Sequence, residues 1–297
     1  MTAPVAPFTV ARPERAGPVV FDSPHSGRHY PADFVTAASP LELRWAEDAY
    51  VDELLSHAPS LGIALLTAAY PRSYIDLNRP PDDIDEALLD GPWPAPLNPT
   101  EKSRRGLGLI RRFVVPGVVI YDAPLSVAEV QRRIDTIYAP YQRALDALLR
   151  EAREAHGGVW HVNWHSMKSR GNAMTPDGAG ALRADFVVSD RNGGTTSPAL
   201  TSLIVDSLQA MGYTVSVNYP YLGGSIVQRV GRPALGVHSV QVEISRGLYL
   251  DEPEVKLRAG AELLGRNLRS LSVQLVAGAM AAFGAKAAPN GDRERGA

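Results

Sequence analysis

Hydrophobic positions along the 297-residue chain fall into short apolar runs separated by longer segments with helical spacing. Each run ends at polar or glycine-containing residues, which is typical of buried strands. Alternation of such runs with helical segments predicts an α/β domain in which helices cover a sheet. The predicted strands cover residues 19–21, 63–67, 118–121, 159–163, 186–189, 213–217 and 238–244.

A long amphipathic pattern between Ser126 and His156 predicts the clearest helix. Glu129 lies three residues after Ser126, as in a capping box, and two glycines follow His156. Pro140 is expected to end or kink this helix midway. Further helices are predicted over 45–54, over 197–211 and from residue 253 onward.

The segment 80–116 contains seven prolines and a cluster of arginines, and it has no sustained period. A connection of this length inside a compact domain is usually functional, so we expect a lid or a wall of a binding site. The chain shows no internal repeat and no hinge between independent units. Residues 1–287 are therefore predicted to form one domain, and the polar residues 288–297 a disordered tail.

Composition narrows the class of partner. The formal net charge is −2, which argues against nucleic acid or an anionic membrane and favours a small molecule. The N-terminal residues lack the pattern of a secretory signal, and no apolar run reaches the roughly 18 residues of a membrane span, so we expect a cytoplasmic protein. Because the chain has no cysteine, any metal site must use histidine and carboxylate ligands.

Two histidines follow apolar runs in matching positions. His25 comes shortly after the run at 19–21, and His165 follows the run at 159–163. The carboxyl ends of strands are where α/β sheets bind ligands, so both side chains can meet over one metal ion. Each could instead be a hydrogen-bonded structural imidazole. That reading is preferred for His57, His156, His161 and His238, while His29 is a minor candidate because it lies close to His25.

A zinc ion on two histidines usually takes a carboxylate as third ligand and leaves a fourth position for water. The predicted helix over 45–54 offers Glu47, Asp48 and Asp52, of which Asp48 and Asp52 share a face. These acids could also form only a solvated helix surface.

Two more clusters carry chemistry suited to amide hydrolysis. Arg72 and Arg79 follow the run at 63–67, and a guanidinium can bind a carboxylate or polarise a carbonyl oxygen. A structural turn with a surface ion pair is the alternative. Glu243 interrupts the apolar run at 238–244, where a carboxylate must be paired, protonated or functional. A general base beside a metal site is one such function.

The ordered set of these motifs resembles the N-formylglutamate amidohydrolase family. The set spans about 19–252 and comprises residues 23–27, Asp48 with 51–54, 75–80, His165 with Ser166, Gly223 with Gly224, 240–243 and 248–252. The resemblance implies a three-layer α/β fold in which helices flank a mixed sheet, similar to the zinc carboxypeptidases and to the aspartoacylase and succinylglutamate desuccinylase group. It also implies one zinc ion per chain.

The resemblance assigns a role to nine residues. The implied metal ligands are His25, Asp48 and His165. The implied catalytic residues are Arg72, which stabilises the oxyanion, and Glu243, the general acid and base. The implied substrate-binding residues are Asn78, Arg79, Ser166 and Gly224.

The sequence departs from related enzymes at two positions. Arg28 stands three residues after His25, where relatives with the compact ligand motif have their acid, so Asp48, Glu47 or Asp52 must supply the carboxylate. Asn163 stands two residues before His165, where the family usually has an aspartate. An asparagine can still accept a hydrogen bond from the ligand imidazole, but without a charge.

The function implied by the resemblance is hydrolysis of N-formyl-L-glutamate, an acidic N-acyl amino acid, to formate and L-glutamate in histidine breakdown. One alternative is a deacylase or carboxypeptidase-like hydrolase for another N-acyl amino acid. The other is a non-catalytic protein that binds an acidic ligand through its arginines.

Overall fold

The computed structural model describes residues 5–284, and a seven-stranded mixed sheet lies at its centre. The strands in chain order are β1 (Phe8–Ala11), β2 (Val19–Ser23), β3 (Ala64–Ala68), β4 (Val159–Met167), β5 (Phe186–Ser189), β6 (Val215–Val217) and β7 (Val237–Ser245). Across the sheet they are arranged β1-β3-β2-β4-β7-β5-β6. The four central strands β3, β2, β4 and β7 are mutually parallel, so their carboxyl ends meet at one edge.

Helices pack on both faces of this sheet. The α-helices are α1 (Pro40–Arg44), α2 (Val51–Leu54), α3 (Glu101–Arg104), α4 (Val127–Arg133), α5 (Ala139–His156), α6 (Pro198–Ala210), α7 (Ser225–Val230) and α8 (Gly260–Phe283). One apolar core contains residues of α4, α5 and α7, and the other contains residues of α2, α6 and α8. The predicted α/β class, with helices flanking a mixed sheet, is confirmed.

The central strands alternate between an apolar face and a polar face. Trp160, Val162 and Trp164 of β4 belong to the core with α6 and α8. The intervening residues His161 and Asn163 are equally buried but point to the opposite face. Because buried polar groups must be hydrogen-bonded, this face carries a connected polar network that leads toward the carboxyl edge of the sheet.

Most predicted strands are present, and the differences have local causes. Residues 118–121 are not a strand of the sheet, since Val119 forms only an isolated bridge with Phe113. The edge strand β1 was missed because none of its four residues is buried and it has no continuous apolar run. The strand predicted to end at Asn163 continues to Met167, so His165 lies within β4.

The predicted helices also need correction. The chain from Val127 to His156 stays helical, because a π-helical turn (Ile134–Tyr138) precedes Pro140 and the proline occupies the first turn of α5. The last helix begins at Gly260 rather than near 253, because β8 (Leu250–Asp251) pairs with β9 (Lys256–Leu257). The expected single domain and the tail at 288–297 stay predictions, and the tail lies outside the described residues. Within residues 5–284, no helix is long and apolar enough to cross a membrane.

The side chain of Arg133, in α4, binds the turn that follows β3. Its side chain is almost fully buried and lies 3.7 Å from the centre of the Tyr74 ring. The guanidinium donates to the Tyr74 carbonyl at 2.9 Å, the Tyr121 hydroxyl at 2.6 Å and the Glu129 carboxylate at 2.7 Å. The residues that follow Tyr74 belong to the candidate site, so this contact also holds the site in place.

Replacing Arg133 with methionine is expected to lower the free energy of unfolding by about 3 kcal/mol, because it leaves buried acceptors without a donor. Urea denaturation measures this change. The matched control is Arg132→Met, since Arg132 is half exposed and its ion pairs are screened by water. A loss in the control as large as in Arg133→Met would contradict the explanation.

Candidate active site

His25, Asp48 and His165 meet at the carboxyl edge of the sheet, and all three are buried. One ligand atom from each lies within 4.8 Å of the others. His25 Nδ1 is 3.3 Å from Asp48 Oδ2, and His165 Nδ1 is 2.9 Å from the same oxygen. The structure thus brings together the three residues that the sequence singled out as metal ligands.

Asp48 reaches this position from a loop and not from a helix. Helix α1 ends at Arg44, and the Asp48 amide donates to the His25 carbonyl at 2.9 Å, which takes it out of helical pairing. Tyr50, at φ 63°, then turns the chain into α2. The prediction of one helix over 45–54 was therefore wrong, because tertiary contacts of this segment override its helical pattern.

The other acids considered as third ligand lie elsewhere. Glu47 accepts from the Tyr30 hydroxyl and pairs with Arg44, so its carboxylate is occupied away from the two histidines. Asp52 belongs to α2, and its Oδ2 lies 3.8 Å from Arg28 Nη2. Only Asp48 joins His25 and His165 among the candidates.

Both imidazoles are held through their far nitrogens. His25 Nε2 lies 2.6 Å from Asp76 Oδ1, and His165 Nε2 lies 2.8 Å from Asn163 Oδ1. These acceptors favour the tautomer that carries its proton on Nε2, which leaves a lone pair on Nδ1 for a metal ion. His165 Nε2 also lies 3.0 Å from Asn78 Nδ2. Asp76 belongs to the motif at 75–80, but no role was predicted for it from the sequence.

A buried carboxylate lies behind Asn163. The Asn163 amide donates to Asp22 Oδ1 at 2.8 Å, and Asp22 also contacts His161 Nε2 at 2.9 Å and the Tyr141 hydroxyl at 2.8 Å. Burial raises the pKa of Asp22, but the hydrogen bonds and the His161 charge outweigh it and hold the pKa below its usual value. Asn163 therefore links His165 to a negative charge one residue farther away.

Arg246 compensates the charge of Asp48, and it was missed in the sequence. Its guanidinium contacts Asp48 Oδ1 at 3.1 Å and donates to Ser166 Oγ at 2.9 Å. Although burial raises the pKa of Asp48, its interactions with His165 and His25 hold the pKa well below the usual range. The available signal was position, since Arg246 directly follows the strand that carries Glu243.

The donor set fits a zinc ion. His25 Nδ1 is buried and has no hydrogen-bond partner among residues 5–284, which leaves its lone pair free for a ligand. Two imidazole nitrogens and one carboxylate oxygen are the ligands of many catalytic zinc sites, which keep a fourth position open. With each far nitrogen anchored to an acceptor, His25 and His165 have the support that zinc-binding histidines usually have.

The remaining histidines have structural contacts. His161 bonds Asp22 and Ser239, and His57 bonds Ser272 and the Leu54 carbonyl. His156, His238 and His29 contact, in turn, the Ala16 carbonyl, the Ser197 amide and the Tyr70 ring. None of these five belongs to the His25, Asp48 and His165 cluster in the described chain.

A cavity of about 190 Å³ opens beside the three candidate ligands. Arg72 lines it and is held by Asp76 Oδ2 at 2.7 Å, so Asp76 supports Arg72 and His25 together. Glu243 lines the cavity from β7, where it is the register partner of His165 on β4. Its carboxylate accepts from the Gln241 amide at 2.8 Å.

Asn78 and Gly224 pack against each other at the cavity wall. Asn78 Oδ1 accepts from the Ile226 amide at 2.9 Å, and its Nδ2 donates to Gln241 Oε1 at 3.2 Å. The Gly224 amide donates to the same Gln241 oxygen at 2.8 Å. A Cβ at position 224 would lie 2.3 Å from Asn78 Nδ2, so this contact requires glycine. Ser166 and Arg79 also line the cavity.

The segment 80–116 supplies part of the cavity wall. Its lining residues are Lys102, Leu107, Arg111, Val114, Val115 and Pro116. The Leu109 carbonyl accepts from the Asp76 amide at 2.8 Å, and the Leu109 amide donates to the Asp83 carbonyl at 2.8 Å. These bonds hold the segment against the turn that carries Asp76 and Asn78.

The sequence profile of one family, N-formylglutamate amidohydrolase, matches residues 17–250, well over half of the chain. The protein belongs to this family. Relatives include the N-formylglutamate deformylases of Pseudomonas putida and Pseudomonas aeruginosa. The first is 28% identical over 80% of this chain and 83% of the relative, and the second is 29% identical over 79% and 83%. Family membership supports amidohydrolase activity for this protein.

One solved structure supports the family assignment, and a second shares the fold. The N-formylglutamate amidohydrolase of Ralstonia eutropha JMP134 superposes with a TM-score of 0.88 at 45% identity, covering 94% of this chain and all of that one. A protein of Agrobacterium tumefaciens shares the fold with a TM-score of 0.65 at 19% identity, covering 92% of this chain and 96% of that one.

We expect the purified protein to hold about one zinc ion per chain, and Asp76→Asn to weaken zinc binding roughly 10- to 100-fold. The asparagine side chain keeps the shape of aspartate but lacks the charge that orients His25. Metal analysis followed by competition with a chelator measures both values. Asp82→Asn, six residues farther along the chain and outside the cavity lining, is the control. Zinc binding by Asp76→Asn as tight as by this control would refute the role of Asp76.

Proposed function

We propose that the protein is a zinc-dependent hydrolase that cleaves the amide bond of N-formyl-L-glutamate, giving formate and L-glutamate. The observation that carries this proposal is the buried set of His25, Asp48 and His165 beside a cavity that also contains Glu243 and Arg72. Family membership supports the amide substrate. Arg79, Lys102 and Arg111 line the cavity, and their positive charges suit the negative charge of an N-acyl glutamate.

Zinc held by His25, Asp48 and His165 would supply a Lewis acid that polarises the formyl carbonyl and makes water more acidic. The protein side chains have separate tasks. Glu243 removes a proton from the attacking water and later delivers it to the departing glutamate nitrogen, as a general base and then a general acid. One water is consumed, the C–N bond breaks, and formate leaves with the water oxygen.

Arg72 stabilises the negative charge that develops on the formyl oxygen. Its Nε and Nη2 both contact Asp76 Oδ2, which fixes the plane of the guanidinium at the cavity. A preorganised cation costs no reorientation when the oxyanion forms, and such a donor typically contributes on the order of 3 kcal/mol to lowering the barrier.

Arg79 binds the substrate carboxylate nearest the scissile amide. Its Nε is buried and has no hydrogen-bond partner among residues 5–284. The neighbouring Asn78 is fixed by Ile226 and Gln241, so it positions the turn more than it adapts to a ligand. Ser166 contributes by linking Arg246 to Asp48, and Gly224 by giving Asn78 its space.

A substrate panel tests the reaction. Released amine is measured for the N-formyl, N-acetyl and N-succinyl derivatives of glutamate, and for N-formyl derivatives of neutral amino acids. We expect N-formyl-L-glutamate to have the highest kcat/KM. Preference for another acyl group would indicate a related deacylase instead. Binding without turnover in zinc-saturated protein would indicate a non-catalytic acidic-ligand-binding protein.

Glu243→Gln should retain zinc but lose at least about 100-fold in kcat, because the amide cannot take up the proton of water. Metal content and initial rates are measured on the same preparation. The matched control is Glu254→Gln, an exposed carboxylate paired with Lys256, which should leave both values unchanged. A near wild-type rate in Glu243→Gln would remove Glu243 from the mechanism.

Cytoplasmic location, a role in histidine breakdown and the lack of nucleic-acid or membrane partners stay predictions. They rest on composition, charge and the resemblance of the motifs to those of the family.

A further inference from the structure

The cavity contains more positive charge than its acidic groups balance. Four of its seven lysines and arginines have local partners: Arg72 pairs with Asp76, Arg183 with Asp177, Arg246 with Asp48, and Lys168 lies over the Trp45 ring. Among the ion pairs of residues 5–284, none involves the remaining cations, which are Arg79, Lys102 and Arg111. Glu243 supplies the carboxylate among the described residues that line the cavity, so one negative charge stands against these three cations.

Arg111 is buried without full satisfaction of its donors. The residue is 8% exposed, and Nη2 donates to the Val114 carbonyl at 3.3 Å, while Nε has no partner among the described residues. A buried guanidinium with free donors is costly unless an anion binds to it. Its backbone follows Leu109, which is bonded to Asp76 and Asp83, so the side chain is held at the cavity by rigid neighbours.

Lys102 enters the same cavity from α3. Lys102 keeps an exposed surface, and partial desolvation together with the positive charges of Arg79 and Arg72 lowers its pKa to about 8. Desolvation and Arg72 lower the pKa of Arg111 to about 9. The neighbouring positive charges contribute to both shifts after desolvation, because like charges around one cavity repel one another. A ligand with two negative charges relieves this repulsion better than a ligand with one.

We propose that Lys102 and Arg111 form a subsite for the side-chain carboxylate of the substrate and so determine the preference for an acidic amino acid. This inference rests on the proposed function. Asp76 connects the turn at 72–79 to His25 and holds Arg72. Arg79 lies on this turn, so we assign to it the carboxylate next to the scissile amide. The adjoining segment supplies Lys102 and Arg111, which are left to bind the side-chain group that differs between amino acids.

Two substrates of nearly equal shape distinguish recognition of the side-chain carboxylate from a general contribution to substrate binding. N-formyl-L-glutamate and N-formyl-L-glutamine differ in the side-chain charge, so kcat/KM is measured for both. In Lys102→Gln and Arg111→Gln, we expect kcat/KM for N-formyl-L-glutamate to fall roughly 10- to 100-fold, mainly through KM, because an ionic hydrogen bond is lost. The value for N-formyl-L-glutamine should change less than about threefold, which also shows that the variant is folded.

Two control variants define the expected pattern. Arg104→Gln, an exposed position on the same segment that does not line the cavity, should leave both substrates unaffected. Arg79→Gln should lower kcat/KM for both substrates by similar factors, because both carry the carboxylate next to the amide. Equal losses on the two substrates in Lys102→Gln and Arg111→Gln, or an unchanged preference for glutamate, would overturn the subsite.

Failure of the proposed function gives a different result. If the wild-type protein cleaves neither compound, the reaction is wrong, and calorimetric titration with the same two compounds then tests the subsite directly. Tighter binding of N-formyl-L-glutamate that is lost in Arg111→Gln would support it. Equal binding of both compounds by the wild-type protein would refute it.

Discussion

The site depends on the compensation of one buried carboxylate. Asp48 is fully removed from solvent, and an isolated charge there would be strongly destabilising. Its two oxygens are divided between partners: Oδ2 faces His25 and His165, while Oδ1 contacts Arg246 and Ser166. The carboxylate thus joins β2, β4 and the segment after β7 at the sheet edge. Under the proposed function, a zinc ion would add positive charge beside this carboxylate.

This compensation is possible because the central strands carry polar residues on one face. The parallel register places Asn163 beside Asp22 and His161 beside Ser239, and a side-chain hydrogen bond joins each pair, so each strand supplies partners for its neighbour. A single substitution in the polar face would leave a neighbour unsatisfied at a cost of about 1–3 kcal/mol. The opposite face is filled by tryptophan and aliphatic side chains, which provide the rigid support that a preorganised site needs.

Much of this arrangement could be predicted from sequence, and the failures share a physical cause. His25 and His165 could be paired because both follow apolar runs, and parallel strands bring such positions to one edge. Asp48 could be named from the motif order, but its loop could not, because the bond from its amide to the His25 carbonyl joins residues 23 positions apart. Arg246 was missed for the same reason: a lone arginine gives no local sign that it will pair with Asp48.

Asn163 shows how a departure from the family pattern can be absorbed by its surroundings. A neutral amide can orient His165 only if its own orientation is fixed, since either end of the amide could face the imidazole. Asp22 settles this, because its carboxylate accepts from the Asn163 amide nitrogen and thereby turns the oxygen toward His165 Nε2. His161 and Tyr141 stabilise Asp22 in turn. The negative charge is therefore retained near His165 but placed one residue away, where it orients the imidazole without contacting it.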